Sequence, residues 1–295
     1  MVTRRDLLMM GGVAAAGALA FPRALRAGAA QRFRTLPAAL KDLEKANAGR
    51  LGVAVIDTGS GERVSYRGGE RFAMCSTFKM MLASAVLQRV DAGREKLPRM
   101  VAVPNKPLVG HSPLTEEHAG GEMTVEALCH AILTQSDNTA ANLLLDTIGG
   151  PGGFTRFARS IGDTVTRLDR TETSLNEAAV GDPRDTTSPE AMVGNLQRLL
   201  LGTVLAPASR EQLTQWMIAN TTGDQSLRAH LPSGWRAGDK TGSNGENTTN
   251  DIGILWPGHG APVLVTAYLT ECAGVEAKRK AVLAEVGRLV AAAYA

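Results

Sequence analysis

Cysteine and aromatic residues are scarce in this sequence of 295 residues, and neither sign of charge dominates it. The three cysteines, Cys75, Cys129 and Cys272, are an odd number far below the density of a disulfide scaffold, so at least one thiol stays free. Aromatic residues make up 4% of the chain and charged residues 21%. A chain of this length buries enough surface to fold without disulfides. The composition therefore excludes a disulfide scaffold, a collagen-like repeat and a largely disordered protein.

The small net charge of +3 comes from the first 29 residues, which hold four arginines and one aspartate. The remaining chain is balanced between basic and acidic residues, and its five histidines form neither an H-x-H nor an H-E-x-x-H pattern. A balanced chain gives no electrostatic reason to expect a nucleic-acid partner. The histidine pattern gives no reason to expect a metal site, and we predict that the protein needs no cofactor.

Residues 1–29 have the pattern of a signal peptide. Arg4 and Arg5 precede an apolar run rich in Gly and Ala, from Leu7 to Phe21, and small residues follow at 27–29. The run is shorter and richer in glycine than the roughly 20 apolar residues that span a bilayer. The stretch Thr-Arg-Arg-Asp-Leu-Leu resembles a twin-arginine signal. We therefore predict export to the periplasm or secretion, with no membrane association after cleavage; the alternative is a retained membrane anchor.

Strand signals lie near both ends of the chain and helical signals lie between them. The sequence predicts a helix over 36–48, strands over 51–56 and 63–66, a mostly helical block over 75–216, three extended segments over 235–243, 250–256 and 262–270, and a closing helix over 275–293. This order predicts an α/β (α+β) protein in which an antiparallel five-stranded sheet is flanked by N- and C-terminal helices. We expect a sheet domain over 30–68 and 217–295, an all-helical domain over 69–216, and a ligand cleft between them.

Ser76-Thr-Phe-Lys79 begins a helical pattern and places a hydroxyl and an ammonium group on one face of the first turn. The positive potential at a helix N-terminus favours a serine alkoxide, and a nearby amine can activate a serine. Alone, the motif is more typical of an N-cap serine followed by a solvated lysine.

Two further polar motifs follow in the chain. Ser136-Asp137-Asn138 opens an apolar helix, and Lys240-Thr241-Gly242-Ser243 lies on the first C-terminal strand. Their structural interpretations are a helix cap and an edge strand protected by lysine. The glycine of the second motif would also let a ligand approach the backbone closely.

Together these motifs resemble the class A serine β-lactamases, which share S-x-x-K, S-D-N and K-T-G with the penicillin-binding proteins. The resemblance extends over the chain after the signal, including residues 111–118 and 220–225. Glu172 and Asn176, in Arg170-Thr-Glu-Thr-Ser-Leu-Asn176, match the family's pair that activates the deacylating water. A penicillin-binding protein acylates and stalls, so this pair favours a hydrolase. The segment 170–185 has the length of an Ω-loop, which the resemblance closes with an Arg170–Asp185 ion pair.

The resemblance implies hydrolysis of penicillins and of cephalosporins through an acyl-enzyme, giving antibiotic resistance, by a monomeric protein. Ser76 would be the nucleophile, Lys79 or Glu172 the base for acylation, Ser136 the proton relay tuned by Lys240, and Glu172 the base for deacylation. The backbone N–H groups of Ser76 and Ser243 would form the oxyanion hole. The implied substrate-binding residues are Asn138, Asn176, Thr241, Gly242, Ser243, Arg279 and His111.

Three positions qualify this expectation. Arg279 is the expected cation for the substrate carboxylate, and with Ser243 it resembles the cefotaxime-hydrolysing branch; its alternative is a solvated helix residue. His111 stands where family members commonly have Tyr or Trp, and Asn244 replaces a residue that is usually small. A DD-peptidase or penicillin-binding protein, and a non-catalytic β-lactam-binding protein, remain as alternative functions.

Overall fold

A computed structural model describes the backbone of residues 23–294 and the side chains of residues 33–294. Residues 1–22 of the predicted signal peptide lie outside the described residues. The first described helix spans Arg23–Asn47. It therefore begins earlier than the predicted helix over 36–48 and continues through the predicted cleavage site at 27–29. No described helix combines the length and the apolar character needed to cross a membrane.

The helices fall mostly between the two groups of strands. The described α-helices are α1 (Arg23–Asn47), α2 (Phe78–Asp91), α3 (Val125–Thr134), α4 (Asn138–Ile148), α5 (Gly150–Ser160), α6 (Pro189–Leu196), α7 (Pro207–Ile218) and α8 (Glu276–Tyr294). Shorter 3₁₀ turns span Cys75–Thr77, Thr115–His118 and Ser174–Glu177, and a π-helical turn spans Gln197–Leu201.

The strands form one large sheet and two small ribbons. The strands are β1 (Arg50–Asp57), β2 (Arg63–Tyr66), β3 (Phe72–Ala73), β4 (Met100–Ala102), β5 (Glu122–Thr124), β6 (Thr186–Thr187), β7 (Arg236–Ser243), β8 (Thr249–Trp256) and β9 (Val263–Thr270). The sheet has the order β2-β1-β9-β8-β7, with every neighbour antiparallel. Two ribbons pair β3 with β6 and β4 with β5. The predicted five-stranded antiparallel sheet is thereby confirmed.

Both faces of the sheet are covered by helices. Along β1, Val53 and Val55 pack into a core with α1 and α8, whereas Ala54 and Ile56 pack into a second core with the helices between β2 and β7. This alternation follows from the two-residue period of a strand. Because both faces are buried, the central strand β9 is a continuous run of buried residues. The domain limits at residues 68–69 and 216–217 stay a prediction.

Candidate active site

The 3₁₀ turn Cys75–Thr77 carries Ser76 directly into α2 and sets the geometry of the site. Cys75 has a φ of +44°, a left-handed conformation that costs free energy in a non-glycine residue. Lys79 follows in the first turn of α2, and its side chain has no exposed surface. The hydroxyl of Ser76 and the ammonium of Lys79 thus reach the same space from one helical start.

Glu172 enters this space from the segment 170–185, called here the Ω-loop. Its Oε1 lies 3.2 Å from Ser76 Oγ and 3.0 Å from Lys79 Nζ. The side chains of Lys79 and Glu172 are both fully buried. A carboxylate acceptor, a hydroxyl and an amine therefore share one desolvated site, where electrostatic interactions are stronger than in water.

Asn142 and Asn176 hold Glu172 in place. Asn142 on α4 donates from Nδ2 to Glu172 O and accepts from Glu172 N through Oδ1, both at 2.9 Å. Asn176 donates from Nδ2 to Glu172 Oε2 at 2.6 Å, and its buried Oδ1 has no partner within the described protein. The peptide bond between Glu172 and Thr173 is cis. Sequence reasoning did not identify Asn142, although a lone polar residue in the run Thr-Ala-Ala-Asn-Leu-Leu-Leu was a usable signal.

The Ω-loop is closed at its base by an ion pair. Arg170 Nε lies 2.6 Å from Asp185 Oδ2, the pair that the family resemblance implied. The other carboxylate oxygen of Asp185 accepts the backbone N–H groups of Asp169 and Arg170, at 2.7 and 2.9 Å. A fully buried carboxylate thus joins the two ends of the loop that carries Glu172.

Two ammonium groups flank the hydroxyl of Ser136. Lys240 Nζ lies 3.1 Å from Ser136 Oγ, and Lys79 Nζ lies 3.4 Å from the same oxygen. Lys79 also donates to Ser136 O at 2.7 Å and to Asn138 Oδ1 at 2.5 Å. Ser136 has a φ of +58°. This strained backbone turns the hydroxyl toward the two lysines, and such strain concentrates at functional sites.

Burial changes the protonation of both lysines. It lowers the pKa of Lys79, while the charge of Glu172 and its hydrogen bond raise that pKa and so oppose the effect of burial. Burial, together with the nearby charge of Lys79, lowers the pKa of Lys240 to about 7. The neutral form of each lysine is therefore more accessible than that of a solvated lysine, and acid–base catalysis uses such a form.

Asp137 fixes the backbone of the Ser136-Asp137-Asn138 motif through hydrogen bonds. As the N-cap of α4 it accepts Ala140 N at Oδ1, and the same oxygen accepts Thr115 Oγ1. Its Oδ2 accepts the backbone N–H groups of Leu114 and Thr115. The carboxylate thus fixes the turn that presents Ser136 and has no free lone pair directed at the cleft.

His111 borders the cleft opposite the sheet. It has a φ of +60°, and its Nε2 lies 2.9 Å from Gln135 O. Its backbone oxygen accepts Asn138 N at 3.0 Å, and Asn138 Nδ2 donates to Gly110 O at 2.7 Å. Predicted residues Asn138 and His111 therefore belong to one hydrogen-bonded wall.

Strand β7 forms the other wall. A Cβ at Gly242 would lie 2.8 Å from Met74 O and 3.0 Å from Ser76 N, so only glycine allows this approach. Two cavities open beside the strand. One of about 660 Å³ lies toward the Ω-loop and is lined in part by Ser174, Asn176, Ser243 and Asn244. The other, of about 400 Å³, includes Ser76, Ser136, Thr241, Ser243, Thr249 and Lys280 in its lining.

The structure does not bring Arg279 into the cleft. Its side chain is fully buried, and its Nε donates to Thr249 Oγ1 at 3.0 Å, so Thr249 stands between it and the cavity. The next residue, Lys280, lies on the cavity wall with Glu276, and its Nζ is 3.0 Å from Glu276 Oε1. The other predicted site residues meet at the cleft. Lys280 was missed by sequence reasoning.

Among residues 33–294, no group of three or more His, Cys, Asp or Glu side chains is arranged to hold a metal ion. The cysteines of this part of the chain are buried free thiols, and burial raises the pKa of Cys75, beside the nucleophile. A raised pKa disfavours the reactive thiolate.

Comparison with known proteins gives consistent results. A family described as "Beta-lactamase enzyme family" matches residues 35–294. Beta-lactamase L2 of Stenotrophomonas maltophilia is 50% identical over 297 residues, covering 98% of each chain. Beta-lactamase Toho-1 of Escherichia coli is 47% identical, covering 85% of this chain and 86% of the relative. The solved class A β-lactamase of the last common ancestor of Gram-negative bacteria (GNCA4) has a TM-score of 0.87 and 59% identity, covering 88% of this chain and all of the other.

Proposed function

This chain belongs to the class A serine β-lactamases, which hydrolyse the β-lactam amide and give antibiotic resistance, and we propose that Ser76, Lys79 and Glu172 carry out its chemistry. The observation that carries the assignment is the position of Glu172 Oε1, within hydrogen-bond reach of both Ser76 Oγ and Lys79 Nζ in a fully buried site. A nucleophile with two adjacent proton acceptors is the arrangement that nucleophilic catalysis requires.

In acylation, Ser76 Oγ attacks the lactam carbonyl and loses its proton to Lys79 or to Glu172. The new bond joins Oγ to the carbonyl carbon, and the C–N bond of the ring breaks. Ser136 delivers its proton to the leaving nitrogen and receives in exchange, through Lys79, the proton taken from Ser76. Lys79 Nζ lies 3.4 Å and Lys240 Nζ 3.1 Å from Ser136 Oγ, which supports this relay. The N–H groups of Ser76 and Ser243 stabilise the oxyanion. The close approach of β7 at Gly242 supports this pairing.

In deacylation, Glu172 takes a proton from a water molecule that attacks the acyl carbonyl. Asn176 donates a hydrogen bond to Glu172 Oε2. Its own buried Oδ1 has no partner among the described residues and can act as a second acceptor beside the Glu172 carboxylate. The two acceptors can together orient one water molecule. Transfer of the proton back to Ser76 releases the ring-opened acid and restores the enzyme.

Cations of the cleft bind the carboxylate that β-lactam substrates carry. Lys240 is one candidate cation, beside the neutral hydroxyl of Thr241, and we assign the further cation to Lys280 in place of Arg279. Lys280 lies on the wall of the cavity that also contains Ser76, whereas the guanidinium of Arg279 is fully buried. Asn138 and His111 would contact the acyl side chain from the opposite wall.

The alternatives of a DD-peptidase and of a silent binding protein make different kinetic predictions. Purified protein lacking residues 1–29 should turn over a chromogenic cephalosporin continuously. A single stoichiometric burst would favour the peptidase, and no reaction would favour the binder. Ser76→Ala is the control, since it removes the nucleophile and should abolish both the burst and the turnover.

We also propose that the protein is exported by a twin-arginine signal and acts in the periplasm as a monomer. The pair Arg4 and Arg5 supports the signal, and its relatives are bacterial β-lactamases. Replacement of both arginines by lysine should leave uncleaved enzyme in the cytoplasmic fraction. Cleaved periplasmic enzyme in that variant would refute this route, and light scattering of the mature protein tests the monomer.

A further inference from the structure

Residues 73–77, called here the nucleophile turn, lead the chain into Ser76 and α2. Cys75 in this turn has a φ of +44°, which is unfavourable for a residue with a side chain. Such a conformation persists where the surrounding structure imposes it. The position of the Ser76 N–H, one of the two proposed oxyanion donors, therefore depends on the groups that hold the nucleophile turn.

Asn250 of β8 holds this turn from the sheet. Its Nδ2 donates to Ala73 O at 2.9 Å and to Met74 O at 3.1 Å, so both N–H groups of the amide bind consecutive carbonyl groups. The side chain has no exposed surface, and its Oδ1 has no partner among the described residues. A buried acceptor without a partner costs free energy, and the two donated hydrogen bonds are the contacts that offset this cost.

Met74 O is the point at which the nucleophile turn is fixed. Besides Asn250 Nδ2, it accepts Thr77 Oγ1 at 2.8 Å and Thr77 N at 3.2 Å. Because a peptide unit is planar, fixing this oxygen also fixes the N–H of Cys75 and the direction in which the chain enters Ser76. Asn250 supplies the one of these three donors that comes from outside the turn.

Asn250 also lies beside the strand that carries the second oxyanion donor. It pairs directly with Gly242 of β7, and directly opposed residues of an antiparallel pair face the same side of the sheet. On that side β7 lies against the nucleophile turn, because a Cβ at Gly242 would be 2.8 Å from Met74 O. The next residue, Ser243, supplies the other proposed donor. Asn250 thus ties together the two backbone segments that form the oxyanion hole.

We propose that Asn250 is a positioning residue that sets the separation of the Ser76 and Ser243 N–H groups and thereby the strength of the oxyanion hole. It is fully buried and acts on the substrate through the nucleophile turn. This role rests on the proposed function, because it assumes that these two N–H groups bind the oxyanion.

The carbonyl group of the acyl-enzyme reports directly on the oxyanion hole. In a Glu172→Gln background the adduct on Ser76 should accumulate, and infrared difference spectra with an isotope-labelled lactam carbonyl isolate its stretching band. Hydrogen bonds to a carbonyl oxygen lower this frequency. Adding Asn250→Leu should therefore move the band to higher frequency, because the two donors no longer converge on the oxygen. Asn250→Asp keeps the shape but loses the amide donors, and should move the band in the same direction.

Steady-state kinetics in the otherwise wild-type enzyme supply a second readout that needs no trapped adduct. Removal of an oxyanion donor costs roughly 10²–10³-fold in kcat, and its displacement in Asn250→Leu should cost about tenfold. KM should change little, because the oxyanion develops in the transition states of acylation and deacylation and is absent from the bound substrate.

Thr266→Val is the matched control. Thr266 on β9 pairs with Ile252, two positions after Asn250, so its side chain lies on the same face of the sheet. Its Oγ1 donates to Pro189 O at 3.0 Å. The substitution therefore removes a buried hydrogen bond that does not involve the nucleophile turn. It should lower the unfolding temperature but leave the carbonyl band and kcat unchanged.

Thermal unfolding identifies the folded variants, and Asn250→Asp, the closer in shape, carries the test if Asn250→Leu does not fold. A folded Asn250 variant with wild-type kcat and an unmoved band would overturn the proposal. Equal changes in Thr266→Val would do the same, because they would indicate a general loosening of the sheet. An enzyme that turns over no β-lactam before any substitution would instead count against the proposed function.

Discussion

Replacement of Glu172 by glutamine should separate the two halves of the reaction. The substitution keeps the side chain's shape and its contact with Asn176, but removes the negative charge and the proton acceptor. The structure offers Lys79 as an alternative base for acylation, 3.0 Å from the same carboxylate. The second acceptor proposed for the deacylating water, Asn176 Oδ1, is an amide oxygen that can orient the water but cannot take its proton. Deacylation should therefore fall far more than acylation.

The magnitude follows from the role of a general base. Loss of a positioned base costs roughly 10²–10⁴-fold in rate. This factor corresponds to about 3–5 kcal/mol of transition-state stabilisation. Acylation should suffer less for an electrostatic reason. Glu172 is the main influence that raises the pKa of Lys79 against the effect of burial. Without it the pKa falls further, so more of Lys79 is neutral and able to accept the proton of Ser76.

Mass spectrometry and rapid-mixing kinetics measure the two steps independently. Glu172→Gln mixed with a penicillin should accumulate an adduct on Ser76, and a chromogenic cephalosporin should give a burst of one equivalent followed by slow turnover. Glu211→Gln, which neutralises an exposed carboxylate on α7, is the matched control and should behave as the wild type. Thermal unfolding checks that the variant is folded.

Two outcomes would refute this reasoning. Turnover at the wild-type rate would remove Glu172 from deacylation. A folded variant with neither adduct nor burst would show that Lys79 cannot serve as the acylation base, so that Glu172 is needed for both steps.

Two further predictions concern the cations of the cleft. The pKa of Lys240 is lowered to about 7, so its charge is present below that pH and is lost above it; kcat/KM for substrates with a carboxylate should fall as the pH rises through this value. Lys240→Arg keeps the charge and should move this alkaline limb to higher pH, whereas an unmoved limb would assign the titration to another group. Lys280→Ala should raise KM for such substrates about two- to fivefold, on the scale of a partly exposed ion pair, with little change in kcat. Lys278→Ala is the exposed control on the same helix, and equal KM values in the two variants would exclude a specific contact of Lys280.

The sequence predicted those parts of the molecule that depend on local pattern. Strand β1 was predicted from its short continuous apolar run, and the burial of its two faces in separate apolar cores explains that run. The relative positions of the side chains within the S-x-x-K and S-D-N motifs could also be predicted, because each motif lies at the start of a helix. The family resemblance then supplied the pairing of Ser76 with Glu172, which lie 96 residues apart and 3.2 Å from Oγ to Oε1.

Contacts made between distant segments could not be predicted in this way. Asn142 supports the backbone of Glu172 from 30 positions away, through two hydrogen bonds that no local motif encodes. Asn244 was recognised only as an unusual residue after the K-T-G motif. Its side chain accepts the N–H groups of residues 246–248, and this depends on the conformation of the turn between β7 and β8. Arg279 of α8 also holds that turn, through Glu246 O.

The helical spacing of apolar residues after Arg279 indicates a buried position for this residue. The family resemblance, which implied a substrate-binding role, was given more weight. Val282, Leu283 and Val286 form the buried face of α8, at the third, fourth and seventh positions after Arg279. In a helix of 3.6 residues per turn these four side chains share one face, so the spacing places Arg279 against the core. Lys280 is rotated by about 100° from it and reaches the cavity wall. A buried arginine needs polar partners, and the carbonyl groups of the β7–β8 turn supply them. Arg279, expected to bind substrate, is for that reason buried behind the wall of the cleft, and its neighbour Lys280 is the cation proposed in its place.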